Sequence, residues 1–252
     1  MIKIAIYGKG GIGKSTIASN LAVALTQIGN VVMQIGCDPK SDSTRTLMGG
    51  KRIPTVLDQI RKKDREIGLD DIVFKGYGGV FCVEAGGPTP GLGCAGRGII
   101  TAFEKMAELK AYEVYKPDIV LYDVLGDVVC GGFAMPLRGE YADVVFIVTS
   151  GEMMSMYAAS NIVQAVANFS SRGYARYGGL IVNRRNVKNE IELVEKLARE
   201  TSGKIITVIP RDNTVQQGEE QGKTIMEASP DSVMADCFRS LAQRVMQECE
   251  NA

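Results

Sequence analysis

Gly8-Lys9-Gly10-Gly11-Ile12-Gly13-Lys14-Ser15 satisfies the pattern G-x-x-x-x-G-K-[ST] and stands between an apolar β-branched run and a segment of helical period. Glycines let backbone N–H groups wrap closely around phosphate oxygens, and a helix N-terminus adds positive potential. Gly8 through Thr16 are therefore expected to hold a nucleotide, with Lys14 reaching its β- and γ-phosphates and the Ser15 hydroxyl binding Mg²⁺.

Carboxylates fall where such a site needs them. Asp123 closes the run Ile119-Val120-Leu121-Tyr122, the place of a Walker B aspartate reaching the Mg²⁺ shell. Asp127 follows through Val124-Leu125-Gly126, and the glycine permits a turn that senses phosphate. Asp38 and Asp42, in Cys37-Asp38-Pro39-Lys40-Ser41-Asp42-Ser43-Thr44, follow the second apolar run. A carboxylate there could orient the attacking water or hold Mg²⁺ through water; alone, it would serve equally well as a turn or helix cap.

Two cysteines stand in glycine-crowded loops, Cys94 in Gly91-Leu92-Gly93-Cys94-Ala95-Gly96-Arg97-Gly98 and Cys130 in Gly126-Asp127-Val128-Val129-Cys130-Gly131-Gly132. Such loops let backbone approach a bulky group, and nearby helix starts favour thiolates. Iron–sulfur clusters usually take four thiolates, which a symmetric pair of chains would supply. Cys37, Cys82, Cys237 and Cys249 read instead as structural thiols.

The elements that must position these residues follow from periodicity. Apolar runs at residues 2–7, 31–35, 80–84, 119–122, 144–148, 180–182 and 205–209 read as strands, several without alternation, as in parallel strands buried on both faces. Residues 14–28, 98–109, 153–169, 188–200 and 231–250 read as helices, the last with Val233, Met234, Cys237, Phe238, Leu241, Val245 and Met246 on one side. The alternation predicts an α/β fold, a mostly parallel sheet with helices on both faces, forming a single domain over 1–252. Ligands of such sheets sit beyond the carboxyl ends of the strands, where the chemistry-bearing loops fall. Residues 51–71 read as a solvated helix and loop, and Met153, Met154 and Met156 as core.

Composition removes other classes. The chain has no histidine, which excludes imidazole acid–base chemistry and His-ligated metals. Lys+Arg and Asp+Glu both total 29, so no overall field draws nucleic acid or an anionic membrane. No apolar run reaches the roughly 18 residues of a membrane span, and no signal peptide is evident, so a cytoplasmic location is expected.

The form Lys-Gly-Gly-x-Gly-Lys-Ser resembles the deviant Walker A group of P-loop NTPases, in which the first lysine, here Lys9, reaches the nucleotide of the facing subunit. Together, residues 8–15, 36–44, 86–98, 122–135 and 150–157 and Pro210-Arg211-Asp212-Asn213 resemble the nitrogenase iron protein (dinitrogenase reductase) family over nearly the whole chain. The resemblance implies a homodimer with a [4Fe–4S] cluster held by Cys94 and Cys130 of both subunits, and MgATP in each subunit. It makes Lys9, Lys14, Asp38 and Asp127 the residues of hydrolysis. Asp38, Lys40 and Asp42 belong to one nucleotide switch, and Asp123 through Cys130 form the other. Asn183, Pro210, Arg211 and Asp212 fall where the family frames adenine, and Arg97 matches an arginine that some members have ADP-ribosylated. The implied function is ATP-gated one-electron transfer from a low-potential donor, such as ferredoxin or flavodoxin, to a heteromeric catalytic component.

Two features depart from the family pattern. The sequence ends soon after its last helix, short of the usual C-terminal extension, and Gln34 through Lys40 also look like reductases of tetrapyrrole biosynthesis. Cys94-Ala95-Gly96-Arg97-Gly98 looks more like nitrogenase. The alternatives are the reductase of a nitrogenase-like enzyme, such as the nickel-tetrapyrrole cyclase of coenzyme F430 biosynthesis, or a partition or division-site ATPase without redox work. Cluster-delivering scaffold ATPases usually carry C-x-x-C, which this chain lacks.

Overall fold

The computed structural model describes residues 1–63, 66–87, 95–124, 141–170 and 174–250; Cys94, Asp127 and Cys130 lie outside them. Its strands are β1 (Ile2–Gly8), β2 (Val32–Gly36), β3 (Phe74–Lys75), β4 (Phe81–Glu84), β5 (Ile119–Asp123), β6 (Val144–Thr149), β7 (Arg176–Asn183) and β8 (Ile205–Ile209). They form one sheet in the order β3-β4-β2-β5-β1-β6-β7-β8, parallel throughout except where the short β3 pairs with β4. The expected strands are all present.

Alternation along the strands builds two cores. On β1, Ile4 and Ile6 pack on one face with Ile17, Leu21 and Leu25 of α1 (Lys14–Gln27) and with Phe238, Leu241 and Val245 of α9 (Val233–Glu250). Ala5 and Tyr7 pack on the other face with Phe103 and Met106 of α3 (Ala95–Glu108) and Ile162 and Val166 of α5 (Met153–Ser170). Helices therefore cover both faces, as expected of a parallel sheet. The shorter α2 (Val56–Lys63), α4 (Ala111–Tyr115), α6 (Glu190–Glu200), α7 (Asn213–Glu220) and α8 (Ile225–Ala228) complete the described helices.

Two expectations about packing are corrected. Met153 and Met154 are 76% and 57% exposed, because the buried stripe of α5 runs through Ala159, Ile162, Val163 and Val166, and these two stand on its first turn beyond that stripe. Only Met156 packs against the core. Val233, assigned to the apolar side of the last helix, is 83% exposed at its first residue.

One register matters for the site. Gly36 on β2 pairs with Glu84 on β4 and with Asp123 on β5, so the ends of these three strands lie level. Cys82 and Leu121, two residues back on their strands, pack in the α1 core, so strand alternation puts Glu84 and Asp123 on the α1 face as well. The carboxyl of Glu84 lies across Gly36, where a Cβ would stand 2.0 Å from its Oε2 and 2.7 Å from the Cβ of Ser43. Gly36→Ala is therefore expected to destabilise the fold by about 1–3 kcal/mol through overpacking, read as a lower denaturation midpoint without a change in m-value.

Candidate active site

β1 lies between β5 and β6, so the loop that leaves it opens directly beside the end of β5, with Ile6 in register with Asp123. Three glycines of this loop have positive φ: Gly8 at 145°, Gly11 at 75° and Gly13 at 99°. Gly8 also passes so close to β6 that a Cβ would meet the carbonyl oxygen of Val148 at 2.3 Å. α1 starts after Gly13 with no side-chain cap and no acidic residue in its first turn, which leaves its N–H groups to an anion.

Lys14 is almost fully buried, and its Nζ donates to the carbonyl of Lys9 at 3.1 Å. Lys14, Ser15, Asp38, Lys40, Asp42, Asp123 and Val124 line one cavity with the loop glycines. Asp123 is 2% exposed, and its Oδ1 has no hydrogen-bond partner among the described residues. Burial pushes its carboxyl above the usual range, while Lys14 and the hydroxyls of Ser15 and Ser43 favour the charged form. An unpaired buried acceptor beside a buried lysine and a serine hydroxyl fits a divalent cation. Asp38 folds back to accept from the backbone N–H of Lys40 at 2.9 Å, which shapes the turn that brings Asp42 to the same cavity.

A second cavity of about 480 Å³ opens beyond Gly13 and Thr16, lined by Asn183, Pro210, Arg211, Asp212, Gln216 and Phe238 among others. Asn183 Nδ2 donates to the carbonyl of Ile12 at 2.7 Å and braces the loop from behind. Asp212 caps α7 by accepting from the backbone N–H and hydroxyl of Thr214 at 2.8 and 2.7 Å, and these bonds hold its carboxyl below the usual range. The expected phosphate and base residues thus line adjoining cavities on one edge of the sheet. Lys9 is exposed and lines a third cavity with Glu152, Arg185 and Arg211.

Several participants are not evident from the motifs. Arg185 donates to the carbonyl of Gly11 at 2.8 Å. Its backbone is held by Glu190, whose Oε1 accepts from the N–H groups of Arg185 at 2.9 Å and Gly151 at 3.0 Å. Glu219 accepts a short hydrogen bond from the Thr16 hydroxyl. Glu84 accepts from Thr44, and Gln34 donates to Ser19 and Ser43. The signal in sequence was a polar residue at an inward strand position, Gln34 and Glu84, and an arginine two residues past Asn183.

The four described cysteines are free thiols. Cys37 packs in the α3/α5 core, Cys82 in the α1/α9 core, and Cys237 and Cys249 lie on α9. Burial pushes the Cys82 thiol up to about 12, and Cys37 upward with it. Among the described residues no group of three His, Cys, Asp or Glu side chains could hold a metal ion. No helix there is long and apolar enough to cross a membrane.

Fold and loop define a P-loop ATPase of the deviant Walker A type. The cell division ATPase MinD of Pyrococcus furiosus superposes with a TM-score of 0.75 at 21% identity, covering 98% of this chain and 99% of that one. A ParA family ATPase from Chlorobium tepidum gives 0.72 at 19%, covering 96% and 98%. At these identities the likeness is one of fold. Within that class, residues 2–252 match the family of 4Fe-4S iron–sulfur cluster binding proteins called NifH/frxC, and the chain belongs to it. The nitrogenase iron protein of Methanospirillum hungatei JF-1 is 55% identical over 249 residues, which are 98% of this chain and 88% of that one. Nitrogenase iron protein 2 of Paenibacillus durus is 50% identical, over 99% and 85%.

Glu84 sets a pH dependence. Burial is the main cause that raises its carboxyl from 4.5 to about 7, against two hydrogen bonds from Thr44 that lower it. The folded state therefore favours the protonated form, so this group's stabilisation is full below about pH 4.5 and is lost as pH rises through 7. Wild type should lose up to about 3 kcal/mol through this residue between those limits. Glu84→Gln should lack that part of the loss, measured as unfolding midpoints of the nucleotide-free protein at pH 5 and pH 8.

Proposed function

We propose that this chain is an ATP-dependent one-electron donor of the nitrogenase iron protein type, working as a homodimer that passes electrons to a heteromeric catalytic partner. Family membership and 55% identity to a nitrogenase iron protein support the activity. The observation that carries the mechanism is the position of β5. Asp123 and Val124 line the phosphate cavity, and the chain that continues from them bears Asp127 and Cys130.

In this reading Lys14 and the loop N–H groups hold the β- and γ-phosphates, and Ser15 and Asp123 hold Mg²⁺. Asp38 and Asp127 would orient water for hydrolysis, and Asp42 lines the same cavity as Asp38. Lys9, exposed at the mouth of its cavity, reaches the nucleotide of the facing subunit. Asn183, Pro210, Arg211 and Asp212 frame the adenine. By the resemblance to the iron protein family, Cys94 and Cys130 of each subunit would hold the cluster; the four described cysteines are dispersed over both cores and α9. When bound, the [4Fe–4S] cluster supplies a one-electron couple whose potential depends on hydrogen bonds to its sulfurs and on exposure. Free thiols suit the reducing cytoplasm, where a ferredoxin or flavodoxin would supply electrons.

The anaerobic, cluster-loaded protein should form ethylene from acetylene when mixed with a molybdenum–iron partner, MgATP and dithionite. Ethylene absent with several partners, but with an ATP-responsive EPR signal, would redirect the donor to another nitrogenase-like enzyme. Cys94→Ser is expected to abolish the cluster signal while MgATP still binds; a cluster retained at full occupancy would refute that ligand.

A further inference from the structure

β4 ends on Glu84, a carboxyl 1% exposed between the sheet and α1. Its Oε1 accepts from both the backbone N–H and the hydroxyl of Thr44, each at 2.7 Å. Its Oε2 has no hydrogen-bond partner among the described residues. Burying an ionisable group with one oxygen unpaired is costly, and an apolar side chain would fill this place at less cost. Thr44 closes the segment that carries Asp38 and Asp42 along the phosphate cavity.

The chain leaving β2 and the chain leaving β4 touch at two further points. The N–H of Ala85 donates to the carbonyl of Gly36 at 2.8 Å. Gly87 lies against Pro39, so closely that a Cβ on it would stand 2.5 Å from the Cβ of Pro39. From Gly87 the chain runs on towards Cys94.

We propose that Glu84 is a positioning residue that ties segment 38–44 to the chain entering the Cys94 segment, giving the phosphate site a second mechanical connection to the cluster beside the one from Asp123 to Cys130. This rests on the electron-donor reading above. When nucleotide moves segment 38–44, Thr44 carries the end of β4 with it or leaves both of its bonds to Glu84 broken. Either result reaches Gly87, because Pro39 bears directly on it.

The test compares cluster-loaded wild type with Glu84→Leu, Glu84→Gln and Thr44→Val. MgATP affinity is measured by titration. Coupling is read as the MgATP-dependent acceleration of iron removal by a ferrous chelator and as the MgATP-induced shift in midpoint potential. Glu84→Leu should bind MgATP within about threefold of wild type but lose about fivefold or more of the acceleration, the scale of hydrogen bonds lost from a buried carboxyl. Glu84→Gln keeps an acceptor oxygen for Thr44 and should restore most of the response. Thr44→Val, which keeps the backbone donor, should fall between. A wild-type response in Glu84→Leu, or a Gln variant as impaired as the Leu variant, would overturn the link. Should Glu84→Leu fail to fold, an unchanged response in Thr44→Val overturns it equally. Wild type that shows no response to MgATP at full cluster occupancy defeats the donor reading itself, and the link with it.

Discussion

Burial of Lys14 beside Asp123 is the constraint on which the working edge of this molecule depends. Neither charge is stable there alone, since a buried ion without a partner costs several kcal/mol. Placing the two charges on one cavity requires β1 and β5 to be neighbours, and it requires the strand ends to be level, which the register of Ile6 with Asp123 provides. Even so, Asp123 keeps one oxygen unpaired. The site is thus electrostatically incomplete in the protein alone, as a site built for a phosphate-bound cation would be. Stability given up at this edge is recovered in the two apolar cores that close the sheet on both faces.

Most of this arrangement is legible in the sequence because it rests on local signals. The loop glycines, the strand-ending aspartates and the uninterrupted apolar runs each announce one element, and the parallel sheet follows from their alternation. What sequence hides has identifiable causes. β7 begins at Arg176, well before its expected start at residue 180, because Gly178 and Gly179 interrupt the apolar run. Those glycines are packing requirements: a Cβ on Gly178 would stand 2.8 Å from the ring of Phe146. α7 is polar and contains Gly218, so it carries no apolar stripe to announce it. Met153 and Met154 fit a core by type, but the helix phase turns them out, off the buried stripe. Arg185 reaches the backbone of Gly11 and Glu190 that of Gly151, distant contacts that no spacing rule reports.

Fold alone would leave the function open. A cell division ATPase and a ParA family ATPase share nearly the whole architecture at about 20% identity. In this chain the frame provides a cavity at the strand ends, so the segments continuing from β2 and β5 start beside it. Activity then depends on what the continuing segments carry. Here they carry Cys94 and Cys130 in runs of glycine, and the family match assigns cluster binding to a chain of this pattern.

The strand order explains why both cysteine segments begin beside the same loop of the phosphate cavity. Segment 38–44 is mounted on the end of β2, and the two neighbours of β2 are β4 and β5. β4 leads on to Cys94 and β5 to Cys130. With strands about 4.8 Å apart, the two departing chains start about 10 Å from one another, on either side of segment 38–44. Gly36 makes this compact, because a side chain there would hold Glu84 away from Thr44. A displacement at the end of β2 can therefore be felt on both sides at once. A cluster whose ligands arrive from both sides would be moved as a unit, rather than pulled by one thiolate. In a packed interior that deforms little, moving both anchors together is the less strained way to convert phosphate chemistry into a change at a cluster.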